Sequence, residues 1–435
     1  MNKNKINTLK KKYLSNFSWM IAENIIRIVV GVTISIYVVR FLGPNDYGIY
    51  VYALSLTGIL APLATLGIDS ILLRDVILNK EKEKVLLHTA AVLKLFAGVS
   101  LSLVTITCVY LFSDDEHLLH IIIILMAGIS INSLNTYKEY MVSINKMKLI
   151  ALAGIISIII SSFFRLGLIF SNAGVVWFAF AVFLAQITNV ISLRHYYKKI
   201  SGFQKKYFSK AVAQNLLNDS WPLIFTSFSG LLFVYSDQIF IKYFFEYERV
   251  GIYGAAVQLV LYFKVIPSII SNMIYPKIIE INKNNSSDDF ENKMLEIYGY
   301  KFIISVFFIL MFYIFGDLVI KTLYGEKFLE SALILKMYSL SFVFMFFDPI
   351  NNKLLMIDNL QKIMLFRNLI GLTFNLILNY FLIQIFGIIG AVYSTLISQV
   401  VITLSYLLDK RIKYIFFIQI KALAYPIRII QNLYK

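Results

Sequence analysis

Cysteine is almost missing from this chain of 435 residues, and the single one, Cys108, sits inside a hydrophobic run, so no intramolecular disulfide can form. Histidine is scarce as well. His88, His117, His120 and His195 show none of the spacings by which known zinc motifs hold their ion, which argues against a metal site. There is no Gly-rich phosphate loop of the Walker type and no nucleophile elbow. The chain therefore reads as a non-enzyme that needs no cofactor. Charge is also short: 15% of residues are Asp, Glu, Lys or Arg, against roughly 25% in a soluble domain.

What fills the gap is apolar. Hydrophobic residues make up 59% of the chain and the mean hydropathy is +0.73. A soluble chain of that composition could not cover its surface, so this is a polytopic membrane protein. A spanning helix needs about 20 mostly apolar residues. That ruler finds twelve segments: roughly 14–41, 47–68, 85–112, 118–140, 149–171 and 174–197, then 215–244, 250–275, 296–316, 331–355, 364–386 and 388–409. The connections at Ser171-Asn172-Ala173-Gly174 and at Phe386-Gly387 are too short for anything but antiparallel neighbours. The first segment follows Lys3, Lys5 and Lys10–Lys12 like a signal peptide. It is too long for one, contains Glu23 and Arg27, and lacks a small-residue cleavage site, so it reads as a retained span.

The formal charge of +16 invites a nucleic-acid reading, but the basic residues cluster in every second loop, which is the signature of membrane orientation. Arg194, Lys198, Lys199, Lys205, Lys206 and Lys210 crowd the central linker, and Lys410, Arg411, Lys413, Lys421, Arg428 and Lys435 the tail. The loop on the opposite side after the third segment is Ser113-Asp-Asp-Glu-His117. Both termini are thus expected in the cytoplasm, with no nucleic-acid partner. Trp19, Trp177 and Trp221 fall near segment ends, as interfacial anchors do.

The expected fold is all-α: twelve transmembrane helices in two six-helix bundles, residues 1–197 and 215–410. A basic cytoplasmic linker, 198–214, joins them. Six is even, so the halves enter the membrane the same way and are related by a parallel pseudo-two-fold. The stretch Phe41-Leu-Gly-Pro-Asn-Asp-Tyr-Gly-Ile-Tyr50 has a second copy in Tyr243-Phe-Phe-Glu-Tyr-Glu-Arg-Val-Gly-Ile-Tyr253, the internal similarity that a duplicated architecture predicts. The loop 280–293 is polar. The tail, 411–435, mixes basic and aromatic residues and reads as an interfacial helix on anionic lipid, with a disordered tail as the alternative.

Leu42-Gly43-Pro44, Tyr47-Gly48-Ile49-Tyr50, Leu66-Gly67-Ile68-Asp69-Ser70, Asp237-Gln238, Gly251-Ile252-Tyr253 and Gly387-Ile-Ile-Gly-Ala391, in this order and spacing, resemble the polysaccharide-transporter family. That family lies within the multidrug/oligosaccharidyl-lipid/polysaccharide exporter superfamily. The resemblance implies a flippase of the bacterial inner membrane. It would move undecaprenyl-diphosphate-linked oligosaccharide, an O-antigen or capsule repeat unit, to the outer face by alternating access. Membrane lipids, a polysaccharide polymerase and the chain-length machinery are the partners it implies. A multidrug antiporter of the same superfamily and a membrane glycan polymerase or ligase are the alternatives. Basic rather than acidic deep charges disfavour the first, and the lack of a sizeable outside loop disfavours the second.

Ionisable side chains within spans are costly and commonly face a cavity or one another. Arg27, Lys94, Arg165 and Lys264 are the expected substrate-binding cations, since Arg and Lys recognise phosphate oxygens. Structural ion pairing is the competing explanation. Glu23, one helical turn from Arg27, would orient that residue or carry a coupling proton, and Asp348 is a second ion-coupling candidate unless Asp348-Pro349 simply ends a helix. Two polar stripes, Asn132/Asn135/Glu139 and Asn368/Asn375/Asn379, read first as glue between helices. Pro62 and Pro267 occupy nearly corresponding places in the halves and are the expected hinges.

Overall fold

The computed structural model describes residues 3–202, 207–284 and 287–427. Lys205 and Lys206 of the linker, Asn285 and Ser286 of the polar loop, and the end of the tail from Arg428 lie outside the described residues. All regular structure among the described residues is helical. The helices are α1 (Lys3–Thr65), α2 (Ile68–Leu78), α3 (Glu83–Phe112), α4 (Glu116–Asn132), α5 (Tyr137–Ser143), α6 (Met147–Phe170), α7 (Val175–Ser201) and α8 (Lys210–Phe244). They continue as α9 (Tyr247–Phe263), α10 (Val265–Asn284), α11 (Ser287–Tyr324), α12 (Glu330–Tyr338), α13 (Phe342–Ile357), α14 (Gln361–Phe386), α15 (Ile388–Leu404) and α16 (Lys413–Leu423). Among the described residues, eleven helical stretches are long and apolar enough to cross a membrane. The first of these, Ser18–Leu78, runs 61 residues and is interrupted by Gly43 at φ 72° and ψ 175°. That conformation is accessible to glycine and strained for other residues, so the helical direction changes there.

Packing divides the chain into two units. The first holds Met1–Leu42 and Ile49–Leu231, the second Gly43–Gly48 and Leu232–Lys435. Six residues of the Gly43 turn thus belong with the second unit although both flanks belong with the first, and the later division falls inside α8.

In the first unit, α2, α3, α5, α6 and α7 close around Ile68, Leu72, Leu87, Tyr140, Met141 and Leu193. Leu66 and Gly67 take φ 52° and 60°, ending α1 and opening α2. A side chain on Gly67 would press against the backbone of Ser220 and Ile224 in α8. In the second unit, Phe263, Phe308, Phe312, Phe342 and Phe346 stack through α9, α11 and α13. A further core around Met294, Tyr298, Ile350 and Leu354 takes in Ile412, Ile415, Ile418 and Ala422. The tail helix α16 therefore buries one face in protein, with Gln419 donating to Asn351 Oδ1 at 2.8 Å.

The repeated motif has a physical use within the second unit. A Cβ on Gly48 would overlap the Tyr247 carbonyl, and one on Gly251 would overlap the Pro44 carbonyl. The two backbones meet glycine to glycine, the close approach that small residues allow between membrane helices. Ring contact of Tyr47 with Phe328, centroids 6.4 Å apart, supports the turn from the side.

Three prolines, Pro222, Pro276 and Pro349, lie inside helices. Pro349 does not end a helix, since α13 runs on to Ile357. Pro62 stands in the last turn of α1, just before the Leu66-Gly67 break. Pro267 stands in the first turn of α10, just after α9 ends at Phe263, and there a missing N–H costs nothing.

Candidate functional site

Within the first unit, α1, α4, α6 and α7 enclose a cavity of about 760 Å³. Helical spacing builds its walls. Glu23, Arg27 and Gly31 recur every four residues along α1, and Gly154, Ser157, Ser161 and Arg165 every three or four along α6, so each set shares one face. Asn132, Asn135 and Lys138 come from the end of α4, the turn after it and the start of α5, and Gln186 and Asn189 from α7.

Arg27 donates to Glu23 Oε1, the pair that the four-residue spacing allows. Gly154 makes room for it: a Cβ there would overlap the Glu23 carboxylate and lie 3.1 Å from Arg27 Nη2. Arg165 and Lys138 have no carboxylate within ion-pair distance among the described residues. The cavity thus carries three cations and one carboxylate. Asn135 Nδ2 donates to Asn189 Oδ1 at 3.1 Å. Asn135 Oδ1, Gln186 Oε1 and Arg165 Nε are buried without a hydrogen-bond partner. Buried polar atoms in that state cost about 1–3 kcal/mol each, which a hydroxyl or anionic ligand would relieve.

The other expected cations lie elsewhere. Lys94 is 2% exposed, outside the cavity lining, and its Nζ donates to Asp69 Oδ1 at 2.6 Å. Lys264 is exposed at the C-terminal end of α9, in the second unit. Asp348 lies on α13 within electrostatic reach of Arg367, Lys264 and Lys301. The Asn132/Asn135/Glu139 stripe is also divided. The turn at 133–136 breaks the helix, leaving the two asparagines on the cavity and burying Glu139 beside Asp69 and Lys94.

Three basic residues of weight are absent from the sequence reading. Lys138 follows the helix break just described. Lys301 is 1% exposed, its ammonium donating to Ser271 Oγ at 2.6 Å and the Phe346 carbonyl at 2.8 Å. Arg367 is likewise buried. Both fall near the starts of apolar runs, where a lysine or arginine reads as an interfacial end. The helices begin earlier than the runs do: α11 starts at Ser287 and α14 at Gln361.

The second unit is tied by a buried polar network. Asp237 on α8 accepts from Tyr253 Oη of α9, from Asn379 Nδ2 of α14 at 2.8 Å and from Thr395 Oγ1 of α15 at 2.8 Å. Ser236 Oγ donates to Asn375 Oδ1 at 2.6 Å and Ser394 Oγ to the Asn375 carbonyl at 3.0 Å. The Asn375/Asn379 stripe thus joins helices, as polar side chains in membrane bundles do.

Comparison with known proteins places these features. The chain is 23% identical over 398 residues to "Capsular polysaccharide biosynthesis protein CapF" of Staphylococcus aureus, covering 90% of this chain and 98% of that protein. It is 23% identical over 383 residues to a Shigella flexneri protein titled "Putative O-antigen transporter", covering 82% and 88%. Among solved structures, the lipid II flippase MurJ in its inward closed conformation has the same fold. It has a TM-score of 0.73 at 16% identity over 94% of this chain and 91% of that one. An inward-facing multidrug-resistance MATE transporter of the MOP superfamily follows at 0.61 and 14%, over 92% and 95%. The model of the polysaccharide biosynthesis protein family matches residues 13–282, more than half of the sequence, and the protein belongs to that family.

Proposed function

We propose that this multi-pass transporter of the polysaccharide biosynthesis family flips a polyprenyl-diphosphate-linked oligosaccharide, an O-antigen or capsule repeat unit, from the inner to the outer face of the bacterial cytoplasmic membrane. The observation that carries the reading is the cavity of the first unit, with three cations against one carboxylate and unsatisfied amide groups on its wall. Arg165 and Lys138 supply charge for the diphosphate, and Asn135, Gln186 and Asn189 present donors and acceptors to sugar hydroxyls. Arg27 is held by Glu23 and exchanges partners when the anion enters. The polyprenyl tail stays in lipid.

Counting the limbs on either side of Gly43 separately gives twelve spans, two sets of six about the linker 198–214, with both termini in the cytoplasm by the distribution of Lys and Arg. Pro62 and Pro267, beside helix breaks, serve as hinges of alternating access. Glu23 and Asp348 are the ion-coupling candidates. The energy comes from an ion gradient, a partner, or consumption of the product by a polymerase.

The test is replacement of the native protein by Arg165→Gln and Lys138→Gln variants, with protein level, surface glycan and lipid-linked repeat units measured together. Normal protein with lost surface glycan and repeat units accumulating on the cytoplasmic side is expected. Normal surface glycan at normal protein level in the double variant would sink the reading.

A further inference from the structure

Far from that cavity in the sequence, one corner of the second unit pairs a buried cation with exposed apolar side chains. Where the start of α14 meets the end of α15, a recess of about 240 Å³ is lined by Lys362, Phe366, Arg367, Ser405, Leu408 and Asp409, among others. Arg367 is 3% exposed, yet no carboxylate lies within ion-pair distance of it among the described residues. Its guanidinium stacks 3.3 Å above the ring of Tyr406, donates from Nε to Ser405 Oγ at 2.9 Å, and donates from Nη2 to the Ile402 carbonyl at 2.9 Å. A guanidinium has five N–H donors, so these contacts fix its plane and leave donors over. The one acid on the lining, Asp409, is committed: it accepts from Arg411 N at 2.9 Å, Nε at 3.1 Å and Nη2 at 2.7 Å. Lys362, exposed in the first turn of α14, forms no ion pair among the described residues. The positive end of the α14 dipole adds to the same sign.

The recess is not a purely aqueous one. Phe366 is 60% exposed and Leu408 72%, on helices that are apolar enough to span a membrane. Arg367 lies six residues into α14, ~9 Å from its start at 1.5 Å per residue. An occupant must therefore offer an anionic, hydrogen-bond-accepting head and an apolar body beside it.

We propose that this corner binds the phosphate of an anionic membrane phospholipid, held by Arg367 and Lys362, with its acyl chains against Phe366 and Leu408. A phosphate is the common chemistry, and a free phosphate ion is the other source of it. The lipid is favoured by the exposed apolar flank and by Lys410, Arg411 and Lys413 just beyond it, since basic segments beside a membrane gather anionic lipid.

The test uses the full-length chain in a neutral detergent, titrated separately with phosphatidylglycerol, phosphatidylcholine and inorganic phosphate. Thermal unfolding and native mass spectrometry of lipid adducts give the readouts. Phosphatidylglycerol alone is expected to give a saturable adduct and a raised midpoint. Arg367→Gln and Lys362→Glu each weaken it by about fivefold or more, the effect of removing one interfacial cation, and Lys327→Glu, at an exposed lysine elsewhere, leaves it unchanged. Equal binding of phosphatidylcholine overturns the proposal, as does wild-type affinity in Lys362→Glu. A midpoint shift reproduced by inorganic phosphate alone overturns the lipid assignment. Should Arg367→Gln fail to fold, Lys362→Glu decides.

Discussion

Lys94 and Asp69 are held together at 2.6 Å, but their surroundings differ: the lysine side chain is 2% exposed and the aspartate 46%. Removing one partner of a buried pair strands the other, at a cost of about 3–5 kcal/mol when both are enclosed. Here the costs are unequal. Asp69→Asn strands an ammonium in the core, whereas Lys94→Met leaves a carboxylate that half faces out. The thermal midpoint in detergent is expected to fall further for Asp69→Asn, and the opposite order would show that Glu139 takes over the lysine. Asp69 lies 25 residues from Lys94 in sequence, beyond any helical spacing, which is why the sequence singles out the lysine alone. The Glu23–Arg27 pair was legible because four residues separate its members on one helix. Arg165 was legible as a charge inside an apolar run; that it shares a cavity with Lys138 depends on a turn at 133–136 that apolar periodicity does not mark.

Among the elements, the Gly43–Gly48 turn and the start of α9 make the closest backbone approach at any glycine described. Gly251→Ala places a methyl group on the Pro44 carbonyl, and Gly48→Ala places one on that of Tyr247. The struck atoms are backbone, which cannot rotate away, so each variant is expected to lose about 1–3 kcal/mol or more. Gly31→Ala, where added atoms meet nothing within 4 Å, serves as the control. Unfolding midpoints equal across the three would show that the backbones part at no cost. That the chain is built of many apolar helices was readable from run length, because apolar runs and turn residues are local properties. Helix ends were not: α11 extends well before its apolar run, and the 331–355 segment is broken into α12 and α13 by a 3-10 turn at Ser339–Ser341. Amphipathic extensions carry no hydropathy signal of a span.

At the scale of the whole molecule, the scaffold and transport roles proposed for polar atoms are separated by comparing an unfolding measurement with a transport measurement. The Asp237 carboxylate accepts hydrogen bonds from three other helices, so Thr395→Val removes one donor from a buried carboxylate and is expected to cost about 1–3 kcal/mol. The midpoint should fall while the surviving folded protein still supports surface glycan. Arg165→Gln should do the reverse. A Thr395→Val chain that unfolds normally but exports no glycan would move that network from scaffold to transport path. The all-helical, many-span character of the chain follows from composition, and the family from short motifs in order. Which polar residues gather around Asp237 and which line the cavity of the first unit is set by contacts between distant residues. The glycine crossing has a consequence for descent. Each of Gly48 and Gly251 needs the bare backbone of the other's segment, so once these copies met, neither was free to diverge alone, and a change at one demands an answering change some two hundred residues away.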